Sequence, residues 1–385
     1  MNATQIGSTG SIVKCLASNF VENGHDVLCV FGEKKQEWEK INCLFTVRNK
    51  VRKYLNKFEA RFDGRDGFVN SFNTKKVIKS LKEFKPDIIH LHNMHGEWIN
   101  FKLIMKYANS KNIPVVMTVH DCWVETGRCA HYSFVNCNKY LGKCGRCPHR
   151  LNYPKLYIFD RSKYFWKLKR QCISNIKLFF SPSKWLANEI INSGIGNEIK
   201  VVGNPYDDSI FYPKEKKSVE TKQKTIGFCS FVWNESKGLL MAQKIAKHYI
   251  GLGHRVIFVG LAPDDERLPE GAIGIARTNN REELADLYRS FDVLVNTTKQ
   301  DIYSMINLEA LACGTPVVVA RVGGAFEMVN DTFNLGIVNT YTLASFIESI
   351  DITLINHLKG SCLSSIVSRQ KQYTFVERTL SLHKL

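Results

Sequence analysis

Two carboxylates, Asp301 and Glu309, lie eight residues apart where a strand-like segment gives way to a helical pattern. The apolar residues that follow Asp301 recur at helical spacing, and the Gly-Thr-Pro after Cys313 predicts the end of this helix before a second strand. A loop that leads into a helix amino terminus favours an anion, because unpaired backbone N–H groups and the helix dipole both attract negative charge. The spacing is therefore typical either of a phosphate and sugar site or of a solvated acidic surface.

Lys237 follows another strand-like segment and stands at a predicted helix start, before Gly238. A lysine beside a helix amino terminus can neutralise a diphosphate leaving group, although a plain surface lysine is the alternative interpretation.

The first helical pattern of the chain opens with the small residues Gly7-Ser-Thr-Gly10. Glycines let backbone N–H groups approach a phosphate or a sugar closely, which makes Gly10 a candidate binding residue. A tight turn with no ligand explains the same pattern equally well, because a Gly-x-x-Gly opening is a weak signal.

Histidines follow two of the strand-like segments. His120 and Asp121 end one of them, and an imidazole at that place can donate a hydrogen bond to a sugar hydroxyl or to a developing charge. A structural histidine is the alternative. His92 and His95 follow the preceding segment and are candidates for the acceptor side of a site.

Five cysteines fall between residues 122 and 147, and Cys144 and Cys147 form a close C-x2-C pair. Cys129 and Cys137 would complete a tetrahedral set of four thiolate ligands for a structural zinc ion. Free thiols in a structured loop are the alternative. Disulfides are disfavoured if the protein resides in the cytoplasm.

The composition is that of an ordinary globular protein, and 385 residues are enough for two domains. No apolar segment approaches the roughly 20 residues of a membrane helix, and the first residues do not resemble a signal peptide, so we expect cytoplasmic residence. The formal charge of +17, from 53 basic and 36 acidic residues, predicts an anionic partner such as nucleic acid, a phosphorylated substrate or a membrane surface. Solubilising lysines explain the charge equally well.

Two series of alternating strands and helices predict an α/β protein with two doubly wound parallel sheets. The expected strands are residues 26–31, 87–91, 114–119 and 177–181 in the first series, and 225–229, 255–259, 292–296 and 316–320 in the second. We place the domain boundary between residues 203 and 204, with the polar stretch 214–224 as a flexible joint. Doubly wound domains bind ligands at the carboxyl ends of their strands, where all of these motifs fall.

The stretch 301–316 resembles the donor-site signature of retaining, nucleotide-sugar-dependent glycosyltransferases of family 4, although the first acidic position is usually Glu and is Asp301 here. That family has the GT-B fold, in which two Rossmann-like domains face a cleft. The cysteine-rich stretch 122–150 resembles an insertion in bacterial members that build surface polysaccharides of the colanic acid type. The fold expects a buried strand before Gly7, which only six residues precede. We expect either an upstream start or a first sheet without its central strand.

The resemblance implies a hexosyltransferase that moves a sugar from a nucleotide diphosphate sugar to a lipid-linked or glycan acceptor, with retention of configuration and no catalytic cofactor. It implies that Glu309 holds the nucleotide ribose, Asp301 holds the sugar and Lys237 stabilises the diphosphate. His120 would orient the sugar. The further substrate-binding residues that it implies are Gly10, Arg277, Ser304 and Asn307. Members of the family commonly carry a second cation a few residues before the lysine. Trp233 and Asn234 stand there in this chain, so Arg277 is the candidate for that cation.

The resemblance also implies an acceptor-side domain, residues 1–203, and a donor domain, residues 204–385, whose last helix packs back on the first. We expect no nucleic-acid partner and a peripheral position on the inner face of the cell membrane. Three alternatives stay open at this point: a nucleotide-sugar epimerase of the same fold, a basic zinc-containing RNA-binding protein, and an inactive family member.

Overall fold

The computed structural model describes residues 1–34, 37–38, 41–46, 50–148, 150–151, 153–214, 222–330 and 336–355. These residues form two compact units, 1–203 and 204–355. Most of the predicted joint at 214–224 lies outside the described residues, and so does the chain's last segment, for which we expected packing on the first domain.

The first unit is an α/β unit with parallel strands. Its strands are β1 (Leu28–Phe31), β2 (Asn42–Phe45), β3 (Ile89–Leu91), β4 (Val115–Thr118), β5 (Leu178–Ser181) and β6 (Glu198–Val201). Its helices are α1 (Gly7–Glu22), α2 (Lys50–Asp63), α3 (Ser71–Phe84), α4 (Phe101–Ser110), α5 (Lys139–Gly142), α6 (Ser162–Ile173) and α7 (Lys184–Asn192). Strands β4 and β5 are buried along their whole length, as expected of parallel strands that are covered on both faces.

The strands of this unit form two separate groups. One sheet has the order β3-β4-β5-β6, and β1 and β2 form a separate two-stranded sheet. The first residues of the chain join the two groups at the carboxyl ends of β1 and β3: the Met1 amino group donates to the carbonyl oxygen of His90 (2.7 Å), and the Asn2 N–H donates to that of Val30 (3.0 Å). Behind them a cavity of about 880 Å³ separates β1 from β3. Among the described residues no strand fills this space, and both alternatives stated from the sequence, an upstream start and a sheet without its central strand, stay open.

The second unit is also α/β. Its strands are β7 (Thr225–Cys229), β8 (Arg255–Val259), β9 (Ile273–Ile275), β10 (Val293–Asn296), β11 (Val317–Ala320) and β12 (Ile337–Val338). Its helices are α8 (Leu239–Gly251), α9 (Arg281–Ser290), α10 (Met305–Ala312), α11 (Glu327–Asn330) and α12 (Leu343–Ile355). A short 3-10 turn, Glu235–Lys237, precedes α8. The buried apolar side chains of this unit form two clusters, and successive residues along a strand belong alternately to one cluster and to the other.

All six strands of the second unit are parallel, in the order β9-β8-β7-β10-β11-β12. Counted from the first strand of the unit, this is the 3-2-1-4-5-6 winding of a Rossmann fold, and the winding direction reverses between β7 and β10. The fold class predicted from the sequence is confirmed in both units. The predicted strands correspond to β1, β3, β4 and β5 in the first unit and to β7, β8, β10 and β11 in the second.

In the described part of the chain, no helix combines the length and the apolar character that crossing a bilayer requires.

Candidate functional site

The loops that follow β7 and β10 bring Lys237 and Asp301 together. Lys237 Nζ lies 3.2 Å from Asp301 Oδ2, and the two side chains are 38% and 22% exposed. Both loops leave neighbouring strands at the point where the winding reverses, which is where open α/β sheets bind their ligands. A cation and a carboxylate predicted from separate motifs are therefore close to each other and reachable from solvent.

Hydrogen bonds hold the Lys237 loop against the loop after β10. The Asn234 side chain accepts a hydrogen bond from the Lys237 N–H (3.0 Å), and the Thr297 hydroxyl donates to the Lys237 carbonyl oxygen (3.1 Å). Gly238 then takes a left-handed conformation (φ +70°) that starts α8. The position of the Lys237 backbone is thus fixed by both loops.

Ser304 and Asn307 organise the start of α10. Ser304 caps the helix and accepts the N–H of Asn307 (3.4 Å), while the Asn296 amide donates to both side chains, at 3.1 and 2.8 Å. The Asn307 amide also donates to the carbonyl oxygen of Ala325 (3.0 Å), and both Ser304 and Asn307 are buried. This network supports a positioning role for the two side chains, and their predicted contact with substrate stays a prediction.

Glu309, on α10, is paired with Arg281, a residue that the sequence analysis missed. Arg281 Nη2 lies 3.3 Å from Glu309 Oε1, and Arg281 Nη1 lies 3.5 Å from Asp207 Oδ2. The Glu309 side chain is only 12% exposed. Burial raises the pKa of Glu309 to about 7, even though the Arg281 guanidinium acts in the opposite direction. The feature that could have pointed to Arg281 is its position as the first residue of α9, directly after the capping Asn280.

Arg277 packs against an aromatic side chain. Its guanidinium lies over the ring of Phe231, 4.4 Å from the ring centroid, and Phe231 is 75% exposed in the loop after β7. Arg277 has no ion pair with the described residues near Lys237, so its role as the second cation stays a prediction. The exposed Phe231 ring is a further feature that the sequence analysis did not single out.

His120 in the first unit belongs to a cluster of histidines at the carboxyl ends of β3 and β4. His120 Nε2 lies 3.0 Å from His92 Nδ1, and burial lowers the pKa of His120 to about 4. The imidazole is therefore neutral near pH 7 and able to act as a hydrogen-bond partner without charge. Its contact with the transferred sugar stays a prediction.

His95 and Asp121 form a buried ion pair beside this cluster, with 2.6 Å between Nε2 and Oδ2. Burial disfavours the charged form of both groups, but the pKa of His95 is raised by Asp121 and that of Asp121 is lowered to about 2 by His95. The other nitrogen of His95 lies 3.2 Å from the Tyr153 hydroxyl. His95 is thus held between two partners.

Gly10 lies inside α1 rather than at its exposed start. A Cβ at this position would stand 2.3 Å from the carbonyl carbon and oxygen of Gln5, so close packing of the chain on itself requires glycine here. Gly7 opens the helix at φ +78° with no atom near its missing side chain. The predicted binding role of Gly10 stays a prediction.

The four cysteines predicted to bind zinc line one small cavity of the first unit. Arg128 Nη1 donates to Cys147 Sγ (3.4 Å), and the Gly127 N–H donates to Cys144 Sγ (3.1 Å). The cysteines of the described residues are all free of disulfides, and no group of three or more described His, Cys, Asp or Glu residues is arranged as a metal site. The four thiols suit zinc by their chemistry but are not placed as ligands, so zinc binding stays a prediction.

Metal analysis tests this prediction directly. If the thiols bind zinc, protein purified under reducing conditions without chelators should contain about one zinc ion per chain, because four thiolates complete a structural site. Replacing Cys144 and Cys147 by serine should remove the metal, whereas Cys122→Ser, a buried cysteine in the same region, should keep it. Less than stoichiometric zinc in the wild-type protein would leave free thiols as the correct interpretation.

Comparison with known proteins identifies families for both units. The model of Glycosyltransferase Family 4 matches residues 9–210, and that of Glycosyl transferases group 1 matches residues 223–356. Among curated proteins, the chain is 24% identical over 283 residues to the putative colanic acid biosynthesis glycosyl transferase WcaC of Escherichia coli, which covers 70% of this chain and 68% of WcaC. It is also 24% identical to an uncharacterised glycosyltransferase of Methanocaldococcus jannaschii, over 86% of this chain and 80% of that protein.

Solved structures share the fold. Sucrose-phosphate synthase from Thermosynechococcus elongatus matches with a TM-score of 0.69 at 13% identity, over 100% of this chain and 94% of that one. HepE of Anabaena, solved with UDP-glucose, matches with a TM-score of 0.65 at 15% identity, over 100% and 98%. These neighbours are GT-B glycosyltransferases, which agrees with two Rossmann-like units. The chain therefore belongs to glycosyltransferase family 4 and is a nucleotide-sugar-dependent glycosyltransferase of the GT-B fold.

Proposed function

We propose that this enzyme transfers a sugar from a nucleotide diphosphate sugar to a lipid-linked or glycan acceptor in surface polysaccharide biosynthesis, with retention of configuration. The observation that carries the proposal is the ion pair of Lys237 and Asp301. Their loops precede α8 and α10 and follow β7 and β10, the two strands between which the winding direction of the second unit's sheet reverses. The name of WcaC supports the polysaccharide role, and HepE has been solved with UDP and with UDP-glucose.

In this proposal each charged group meets one part of the donor. Lys237 faces the diphosphate and stabilises the charge that develops on it as the bond to the sugar breaks. Asp301 holds hydroxyls of the transferred sugar, and Glu309 accepts hydrogen bonds from the two ribose hydroxyls. The Arg281 side chain keeps the Glu309 carboxylate in place.

Retention follows from a reaction on one face of the sugar. The bond between the anomeric carbon and the diphosphate oxygen breaks, the acceptor oxygen bonds to the same carbon, and the acceptor proton passes to the departing phosphate oxygen. Asp301, the carboxylate beside Lys237, is tied to that cation and to its own loop, where its Oδ1 accepts the N–H of Tyr303 at 3.3 Å. This restraint favours a role in holding the sugar over attack on it.

Membrane association and location complete the proposal. A lipid-linked acceptor would be met at the inner face of the cell membrane, so we place the enzyme in the cytoplasm with peripheral contact to anionic lipid, without a catalytic cofactor and without a nucleic-acid partner. The epimerase and RNA-binding alternatives are set aside, because the chain belongs to a glycosyltransferase family.

Donor binding should depend on pH through Glu309. Its pKa of about 7 in the unliganded protein means that the carboxyl group must lose a proton before it can accept two ribose hydrogen bonds. Donor affinity should therefore rise with pH and level off above about 7, with binding about tenfold tighter near pH 8 than near pH 6. Titration calorimetry with intact UDP-, GDP- and ADP-sugars measures this, since their diphosphates keep a constant charge over the range.

Glu309→Gln removes the titrating group and should bind the donor weakly and equally at both pH values. Glu282→Gln is the matched control, because Glu282 lies exposed on α9 in the same unit. No binding of any nucleotide sugar to the wild-type protein, or an unchanged pH profile in Glu309→Gln, would contradict the proposed donor site.

A further inference from the structure

Helix α2 of the first unit carries large apolar side chains on an exposed stripe. Val51, Tyr54, Leu55 and Phe58 are 66%, 70%, 49% and 65% exposed, and they recur every three or four residues along the helix. Residues at this spacing share one face. A surface helix normally buries such a face, and contiguous apolar patches that stay exposed mark sites of interaction.

The stripe continues into a neighbouring loop. The rings of Phe58 and Phe62 are 5.8 Å apart, and those of Phe62 and Phe159 are 5.4 Å apart. The N–H groups of Tyr157 and Phe159 donate to the carbonyl oxygens of Arg61 (2.8 Å) and Phe62 (2.9 Å). Residues 157–159 are each at least half exposed. We call the stripe of α2 together with residues 157–159 the α2 patch.

Positive charge surrounds the α2 patch. Lys57 and Arg61 lie on the same helix, and Lys155 is exposed beside residues 157–159. Lys53 also lies on this helix, but its ammonium is paired with Glu33 at 2.6 Å. The helix has two acidic residues in its described part, of which Glu59 is exposed. The other, Asp63, is buried in ion pairs with Arg65 and Arg161. A second copy of the chain would set these basic residues against each other in a symmetric interface. Anionic lipid headgroups would instead neutralise them.

We propose that the α2 patch docks on an anionic lipid bilayer, with its aromatic and aliphatic side chains among the headgroups and the flanking Lys57, Arg61 and Lys155 on lipid phosphates. Amphipathic helices with an apolar face and basic flanks bind membranes in this way, through buried apolar area and electrostatic attraction together. The inference rests on the lipid-linked acceptor of the proposed function, and it assigns the membrane contact to a defined surface of the first unit.

Vesicle co-sedimentation of the full chain tests the inference without donor or acceptor. The wild-type protein should bind vesicles of phosphatidylcholine and phosphatidylglycerol in equal parts, bind pure phosphatidylcholine weakly, and lose binding as salt is raised. The double variant Leu55→Ser, Phe58→Ser should bind the anionic vesicles about tenfold more weakly, because two side chains no longer enter the interface. The control variant Ile191→Ser, Leu240→Ser removes equally exposed residues from other helices and should bind like wild type.

Thermal unfolding and donor calorimetry on the same variants separate the possible failures. The substituted side chains are exposed, so unfolding and donor binding should match wild type. The inference would be overturned if the wild-type protein bound anionic vesicles weakly, or if the Leu55→Ser, Phe58→Ser variant bound them as tightly as wild type. Intact donor binding in the same experiments would leave the proposed function standing. A wild-type dimer that this variant dissociates would assign the α2 patch to a second copy and would also overturn it.

Discussion

Lys237→Ala should lower kcat for sugar transfer by about 10² to 10³-fold, with a smaller change in KM. The Lys237 ammonium stands where the winding of the second sheet reverses, and its backbone is fixed there by the capping of Asn234 and by the contact with Thr297. In the unliganded protein Asp301 neutralises it. As the diphosphate departs, its new negative charge would meet this cation, so the interaction is stronger in the transition state than in the bound donor. Steady-state turnover of the nucleotide sugar selected by calorimetry measures the effect.

Two companion variants make the Lys237 result specific. Lys244→Ala removes an exposed lysine from α8 in the same unit and should leave turnover unchanged. Lys237→Arg keeps the charge with a different shape and should recover part of the rate. A Lys237→Ala enzyme within threefold of wild type in kcat would show that the leaving group is stabilised by another residue, with Arg277 the next candidate.

Gly238→Ala should destabilise the second unit strongly, lowering its free energy of unfolding by about 3 kcal/mol or more. Gly238 has φ +70°, and a Cβ there would stand 1.9 Å from the Thr297 carbonyl oxygen and 2.5 Å from the Tyr341 hydroxyl. Backbone cannot yield as a flexible side chain would, so the loops after β7 and β10 must separate. Chemical denaturation measures the loss, and donor binding should weaken with it because Lys237 moves.

Gly251→Ala provides the matched control for this effect. Gly251 ends the same helix, α8, and a Cβ at that position would meet no atom within 4 Å. The substitution should be neutral or slightly stabilising, because alanine restricts the unfolded chain more than glycine does. Equal stability of the two variants would mean that the loops after β7 and β10 adapt without cost.

Many of the strands and helices could be predicted, because buried parallel strands appear in the sequence as short apolar segments. Strands β4 and β10 were expected for this reason, and so was the helical pattern of α10 that ends before Gly314. Strand β9 is short and stands at a sheet edge, with its residues only partly buried or exposed, so its sequence lacks the apolar signal. Helix propensity and periodicity describe local structure, and edge strands depend on pairing with a neighbour.

The partners of the charged residues could not be predicted, since they come from distant parts of the chain. Arg281 and Glu309 lie on different helices, and only the packing of α9 beside α10 brings the ion pair together. The ring of Phe231 similarly contacts Arg277, the candidate for the second cation, and nothing in the sequence indicated this contact. Motif spacing located the loops that hold the candidate residues, whereas the fold decides which side chains meet.

The amino group of Met1 lies in the interior of the first unit. Burial lowers the pKa of this amine to about 6, so the group is mostly uncharged at neutral pH where it meets His90. Any residues joined before Met1 would start inside the cavity between β1 and β3, because Met1 and Asn2 already pair with the carboxyl ends of these strands. A polar purification tag would carry hydrophilic groups into this cavity. A tag at this end would therefore alter the packing between the two groups of strands in the first unit.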